Sequence, residues 1–277
     1  MKVYAFADEA SPIIEEQIAA MERNGLDGLE IRNIDNVNIA DITAEKAKEV
    51  RGKMDAAGLS VWSCGSPIGK IDIEKDDFAA HLEKFKHTLT LANILDAKNI
   101  RIFSFYIPEG KRAEDYKNEV IDRLGTLCET AVGSGITLCH ENEKGIYGDI
   151  AVRCAELHDA LPSLKAVFDP ANFVQSGQDT LTAWAMLEKY IGYMHIKDAC
   201  MDGSVVPAGK GDGNIPLLLQ KYIEIGGEAV TIEPHLTIFS GLSTLEREGE
   251  ESKVGGYTFE SDAAAFDIAC KAFKECL

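Results

Sequence analysis

The chain has 277 residues, 45% hydrophobic and 27% charged, the balance of an ordinary globular protein, which excludes a disordered or fibrous chain. Its 46 acidic residues outnumber 28 basic ones, a formal net charge of -18, and a field of that sign repels nucleic-acid backbones and anionic membrane surfaces. No apolar run approaches the ~20 residues of a membrane helix, and the opening MKVYAFADEASPIIEE turns acidic too early for a signal peptide.

In chain order, short β-branched runs at residues 3–7, 28–32, 59–64, 99–104, 136–141, 165–169, 192–197 and 228–233 read as strands. Segments of helical period at 12–24, 43–57, 76–95, 112–133, 149–160, 181–190, 215–225 and 260–276 alternate with them. The phrases ERNGLDGLEIR, DAAGLSVWSC, AVGSGITLCHE and EIGGEAVTIE repeat one design, a helix stopped by glycine and followed directly by a strand. This strict alternation predicts an α/β fold, a (β/α)8 TIM barrel, as one domain over residues 1–277. An open doubly wound sheet would also alternate, but FADEASP stands after the first strand where a glycine-rich phosphate loop would be expected. The irregular stretches 65–73 and 236–257 follow strand ends and are expected to overhang a site. The seven cysteines are scattered without a CxxC pair, which predicts reduced thiols in a cytoplasmic protein.

In such a barrel the working residues stand at the C-terminal ends of strands. The fifth to eighth strands end in LCHENE, VFDPANF, YMHIKD and TIEPHL, with Glu141, Asp169, His195 and Glu233 at one level. Taken singly, Asp169 could begin a turn, His195 could be a core histidine, and either glutamate could cap a helix. Together, three carboxylates converging on a barrel mouth repel one another unless a cation compensates them. One divalent ion is therefore expected. The oxygen-rich set suits Mn2+ first, with Mg2+, Co2+ and Zn2+ compatible. By strand alternation Glu143, Lys197 and His235 share a face with these ligands, and Arg32 and Lys70 follow strands two and three.

With the motifs HENE, FDPANF, HIKD, PAGKGDGNIP and IEPH in this order, the chain resembles the sugar isomerase and epimerase superfamily of xylose isomerase-like barrels over essentially its whole length. The resemblance, nearest to ketose 3-epimerases and inosose dehydratases, implies that Glu141, Asp169, His195 and Glu233 bind the metal and that the two glutamates also move protons. It implies a sugar isomerase or epimerase that takes a proton next to a carbonyl, through an enediolate whose charge the metal stabilises. The chain departs from the epimerase pattern at three positions. Asn172 stands for a histidine, Tyr147 for a glutamate and Met201 for a substrate-orienting arginine. These departures bring forward an alternative, a lyase on the same scaffold, acting by dehydration of a keto-inositol or β-elimination from an oxidised C-glycoside. Substrate contacts are expected from Glu143, Lys197, His235, Asn172, Lys70 and Arg32. A metal-cluster nuclease is disfavoured by six histidines and the negative charge. A barrel that binds without catalysing is distinguished by whether proton exchange occurs. The expected partner is a small polyhydroxylated substrate, with no nucleic acid and no membrane, and a homo-oligomer or a second subunit is compatible.

Overall fold

The computed structural model describes residues 1–238, 253 and 255–277. Its strands are β1 (Lys2–Ala5), β2 (Gly28–Ile31), β3 (Ser60–Gly65), β4 (Asn99–Ile102), β5 (Thr137–Glu141), β6 (Lys165–Phe168), β7 (Ile191–Ile196) and β8 (Ala229–Ile232). Each pairs in parallel with its sequence neighbour, and β8 closes on β1, giving the closed (β/α)8 barrel expected from the alternation. The outer layer comprises α1 (Ile14–Asn24), α2 (Ala44–Ala56), α3 (Phe78–Ile94), α4 (Lys117–Ala131), α5 (Ala151–Ala160), α6 (Pro170–Gln175), α7 (Thr180–Leu187), α8 (Ile215–Glu224) and α9 (Asp262–Glu275).

Local chemistry explains the boundaries. Gly25 ends α1 in the left-handed conformation (φ 63°), and its N–H returns to Met21 and Glu22, so the chain can turn straight into β2. Thr43, Asp77 and Ser261 cap α2, α3 and α9 through their side chains. The element α6 was not expected. It replaces part of a loop between β6 and the segment predicted at 181–190, which itself begins at Thr180. Short strand pairs, Asn33–Ile34 with Val37–Asn38 and Asp198–Ala199 with Val205–Val206, also stiffen the loops after β2 and β7. Most of the stretch 236–257 lies outside the described residues. Among the described residues no helix is long and apolar enough to cross a membrane.

The main apolar core lies between helices and barrel, with Met194, Ile196, Val230 and Ile232 turned outward into it. Alternation then turns Tyr193, His195, Thr231 and Glu233 inward. Inside, Cys139, Val167 and Tyr193 pack with Trp62 as a separate cluster, and Trp62 stacks on Tyr4 at 5.2 Å. This layer plugs the barrel beneath the polar strand ends.

Candidate metal centre

The parallel register sets the level of the site. Thr231 pairs with His195, Phe168 with Met194, and Val167 with Glu141, so the ends of β5 to β8 finish together. Asp169 directly follows β6 and serves two purposes. Its Oδ1 accepts the N–H of Asn172 at 3.0 Å as the N-cap of α6, with Pro170 at the first turn, and its Oδ2 faces the barrel axis. Asn142 grips the same residue from β5, donating to the Asp169 carbonyl at 3.0 Å and accepting its N–H at 2.9 Å.

Glu141, Asp169, His195 and Glu233 are all buried, and each brings one ligand-type atom within 4.8 Å of the others. Nδ1 of His195 lies 3.1 Å from Glu141 Oε1, 3.2 Å from Glu233 Oε2 and 3.8 Å from Asp169 Oδ2. Ligands at ~2.1 Å from a small divalent ion stand ~3.0–3.4 Å apart when adjacent and ~4.2 Å apart when opposite. The observed spacings fit that cage. Asp169 Oδ2 is buried and accepts no hydrogen bond of good geometry, although Lys197 Nζ stands 2.9 Å away, as a stand-in positive charge. Among the described residues, the six buried carboxylates around this mouth, Asp8, Glu9, Glu30, Glu141, Asp169 and Glu233, outnumber the buried cations Arg32, Arg101 and Lys197 even with a protonated His195 added to them. The surplus is negative, and the donor set fits a divalent cation.

The electrostatics follow from this crowding. Burial disfavours the charged form of Glu141, but His195 and Arg101 outweigh it and hold the carboxyl well below its usual range. Glu233 is held down likewise by Lys197, His235 and His195 against burial. Asp169 is pushed up to about 6 by burial, which Lys197 offsets only in part. Burial lowers His195 and Lys197, yet their carboxylate neighbours win and keep both well above their ordinary values.

The structure brings the other expected site residues to the same mouth with varied partners. Lys197 joins Asp169 and Glu233, at 2.9 and 3.0 Å. Asn172 donates to Glu141 Oε1 at 3.2 Å and to the Asn142 carbonyl at 2.8 Å. Glu143 pairs with Lys70 at 3.1 Å, and Lys70 lies over the Phe103 ring. His235 adopts a left-handed backbone (φ 45°), its ring Nε2 3.5 Å from Glu233 Oε1. Arg32 is buried, contacting Asp8, Glu9 and Glu233.

Several residues escaped the sequence reading. Glu30 meets the second ring nitrogen of His195 at 3.2 Å and accepts the Tyr193 hydroxyl at 2.8 Å, so a carboxylate fixes the orientation of this imidazole. Arg101 meets Glu141 Oε2 at 2.7 Å, and Phe6 packs edge-on against His195. The available signal was the charge in the interior-facing positions of GLEIR and NIRIF.

The loop 65–73 that carries Lys70 is tied down by His81, whose Nε2 accepts the Gly69 N–H at 2.8 Å and so must be neutral. Burial lowers both His81 and His158 to about 4. Between that value and the unfolded value of ~6.5 the unfolded chain binds protons that the folded chain refuses, so stability is complete above ~6.5 and falls with acidification. A loss of about 1 kcal/mol per pH unit from each histidine is expected between ~6.5 and ~4. Thermal melts across that window should show it, and His158→Gln should flatten it. A melting temperature indifferent to pH there would contradict the assignment.

The sequence profile of the xylose isomerase-like TIM barrel family matches residues 18–237. A curated relative from Escherichia coli (strain K12), "Uncharacterized protein YihM", is 23% identical over 195 residues, covering 68% of this chain and 57% of that protein. The chain thus spans little more than half the length of that relative. Among solved structures, the probable 3-DHS dehydratase AsbF of Bacillus anthracis, involved in petrobactin synthesis, is similar with TM-score 0.76, 16% identity and 99% of each chain covered. The 3-keto-D-glucoside 4-epimerase YcjR of E. coli is similar with TM-score 0.73, 15% identity and 100% of each chain covered. At these identities the likeness establishes the fold.

Proposed function

The chain belongs to the xylose isomerase-like TIM barrel family, and from that premise we propose a divalent-metal-dependent isomerase or epimerase of a sugar or sugar derivative. The observation that carries this reading is the convergence of Glu141, Asp169, His195 and Glu233 within 4.8 Å. We assign these four to the metal, Mn2+ first, in a single cytoplasmic barrel domain acting on a small polyhydroxylated substrate. The bound ion supplies Lewis-acid stabilisation of the charge that develops when a proton is removed next to a carbonyl.

The chain's own residues do the rest. One of Glu141 and Glu233, as the carboxylate, takes the proton and becomes the acid; the other, having taken a proton from water, gives one back and becomes the carboxylate, so that protons balance over the turnover. A proton delivered by the second glutamate to the same carbon on the opposite face gives an epimer, and one delivered to the neighbouring carbon gives an isomer. Lys197 and His235 face the reacting centre beside Glu233, and the Lys70–Glu143 pair lines the mouth for substrate hydroxyls. Arg32 and Asn172 act through Glu233 and Glu141, which they contact.

A second reading, a lyase, is favoured by the three departures from the epimerase pattern. The Tyr147 hydroxyl turns away to Glu156, Met201 is largely exposed, and the Asn172 amide is committed to Glu141 and the Asn142 carbonyl. The substrate grips of an epimerase are thereby missing, while proton abstraction remains.

Both readings are tested by NMR in D2O with metal-loaded protein and a panel of ketoses, keto-inositols and 3-oxo-glycosides. Deuterium entering one carbon, abolished by chelation and slowed about 10²–10⁴-fold in Glu233→Gln, is the expected result. Appearance of an elimination product would select the lyase. Absence of exchange and of elimination across the panel would overturn the proposal.

A further inference from the structure

Two buried arginines meet on one ring inside the barrel. The guanidinium of Arg32 lies 4.5 Å and that of Arg101 5.4 Å from the centroid of Phe6, which is fully buried. Arg101 also lies 4.5 Å from the Phe103 ring. Each arginine reaches one glutamate of the candidate metal centre, and each takes the oxygen turned away from His195. Arg101 Nη1 holds Glu141 Oε2 at 2.7 Å while Glu141 Oε1 faces the imidazole, and Arg32 Nη1 holds Glu233 Oε1 at 3.2 Å while Oε2 faces it.

Neither arginine is free to swing. Asp8 grips Arg32 through Nε at 2.9 Å and Nη2 at 3.1 Å, and Glu9 takes Nη2 at 2.9 Å. Arg101 is wedged between aromatic rings beneath Gly65, where an added Cβ would stand 2.5 Å from Phe6 and 3.4 Å from Arg101 Nη2. The rigid fork of arginine suits this fixed attachment better than a flexible ammonium.

We propose that Arg32 and Arg101 are positioning residues that limit Glu141 and Glu233 to one metal-facing oxygen each and thereby select a small divalent ion over Ca2+. The inference rests on the metal-centre reading above. Ca2+ takes six to eight oxygens at ~2.3–2.6 Å and draws on bidentate carboxylates, whereas Mg2+-sized ions are satisfied by fewer, closer donors. A carboxylate whose second oxygen is turned toward a fixed arginine must reorient, and weaken that contact, before it can offer the extra ligand.

The test is competitive titration of Mn2+ and Ca2+ on wild type, Arg101→Met and Arg101→Lys, with folding checked by circular dichroism. Wild type should bind one Mn2+ in preference to Ca2+. In Arg101→Met the ratio of affinities should move toward Ca2+ by about tenfold or more. Arg101→Lys keeps the charge without the fork; it should move the ratio the same way by less, and it carries the test if the methionine variant does not fold. An arginine that only balances charge would shift both affinities together, so an unchanged ratio in a variant that binds metal overturns this inference alone. A wild-type protein that binds neither ion overturns the metal centre as well.

Discussion

Lys197→Met is expected to destabilise the metal-free protein by about 3–5 kcal/mol and to cost much less once a divalent ion is present. The ammonium stands 2.9 Å from Asp169 Oδ2 and 3.0 Å from Glu233 Oε2, and all three groups are buried. Methionine fills similar space but leaves two carboxylates without their nearest compensating charge, which is far dearer in the interior than in water. A bound cation restores that charge, and binding to the folded state alone adds stability by mass action. Urea unfolding with and without Mn2+ measures both arms. An equal loss in the two conditions would mean that Lys197 does not stand where a cation is felt.

The second large effect is on metal affinity. His195→Gln should weaken Mn2+ binding at least ~100-fold, and Glu30→Gln, which touches no expected ligand but His195, by about 10–100-fold. To bind a metal through Nδ1, His195 must carry its proton on Nε2, and Glu30 is the group placed to accept the hydrogen bond from that N–H, at 3.2 Å. Tyr193 fixes Glu30 in turn through its hydroxyl. Calorimetric titration should rank the three proteins in that order. Wild-type affinity in Glu30→Gln would show that the imidazole is oriented by packing against Phe6 instead.

Much of the barrel was legible because all eight strands begin and end within a residue or two of the apolar runs, and glycine-stopped helices frame β2, β3, β5 and β8. Phrases such as ERNGLDGLEIR carry cap, turn and strand in sequence, so Gly25 could be read before the structure was known. The four strand-end residues were legible for a related reason: a closed parallel barrel brings the ends of consecutive strands to one level.

What stayed hidden was set by three-dimensional facing. Arg101 in NIRIF reads as a surface charge until the strand's inward face is known, and Glu30 needs the bulge between β2 and β3 to be placed. The helix α6 spans only Pro170–Gln175, too short for a period, although Asp169 and Pro170 carry its start signals. The glycines of PAGKGDGN found their reason only in Asp198, whose carboxylate accepts the N–H groups of Gly209, Gly211 and Gly213. A Cβ on Gly211 or Gly213 would stand 2.5 Å from its Oδ1.

The central claim is that Glu141, Asp169, His195 and Glu233 together hold one divalent ion. Native mass spectrometry of metal-reconstituted protein, wild type beside a variant with all four replaced by their nearest neutral analogues, tests it most directly. One ion per wild-type chain and none in the variant is the predicted result, whereas an ion retained by the variant, or none on the wild type, would contradict it.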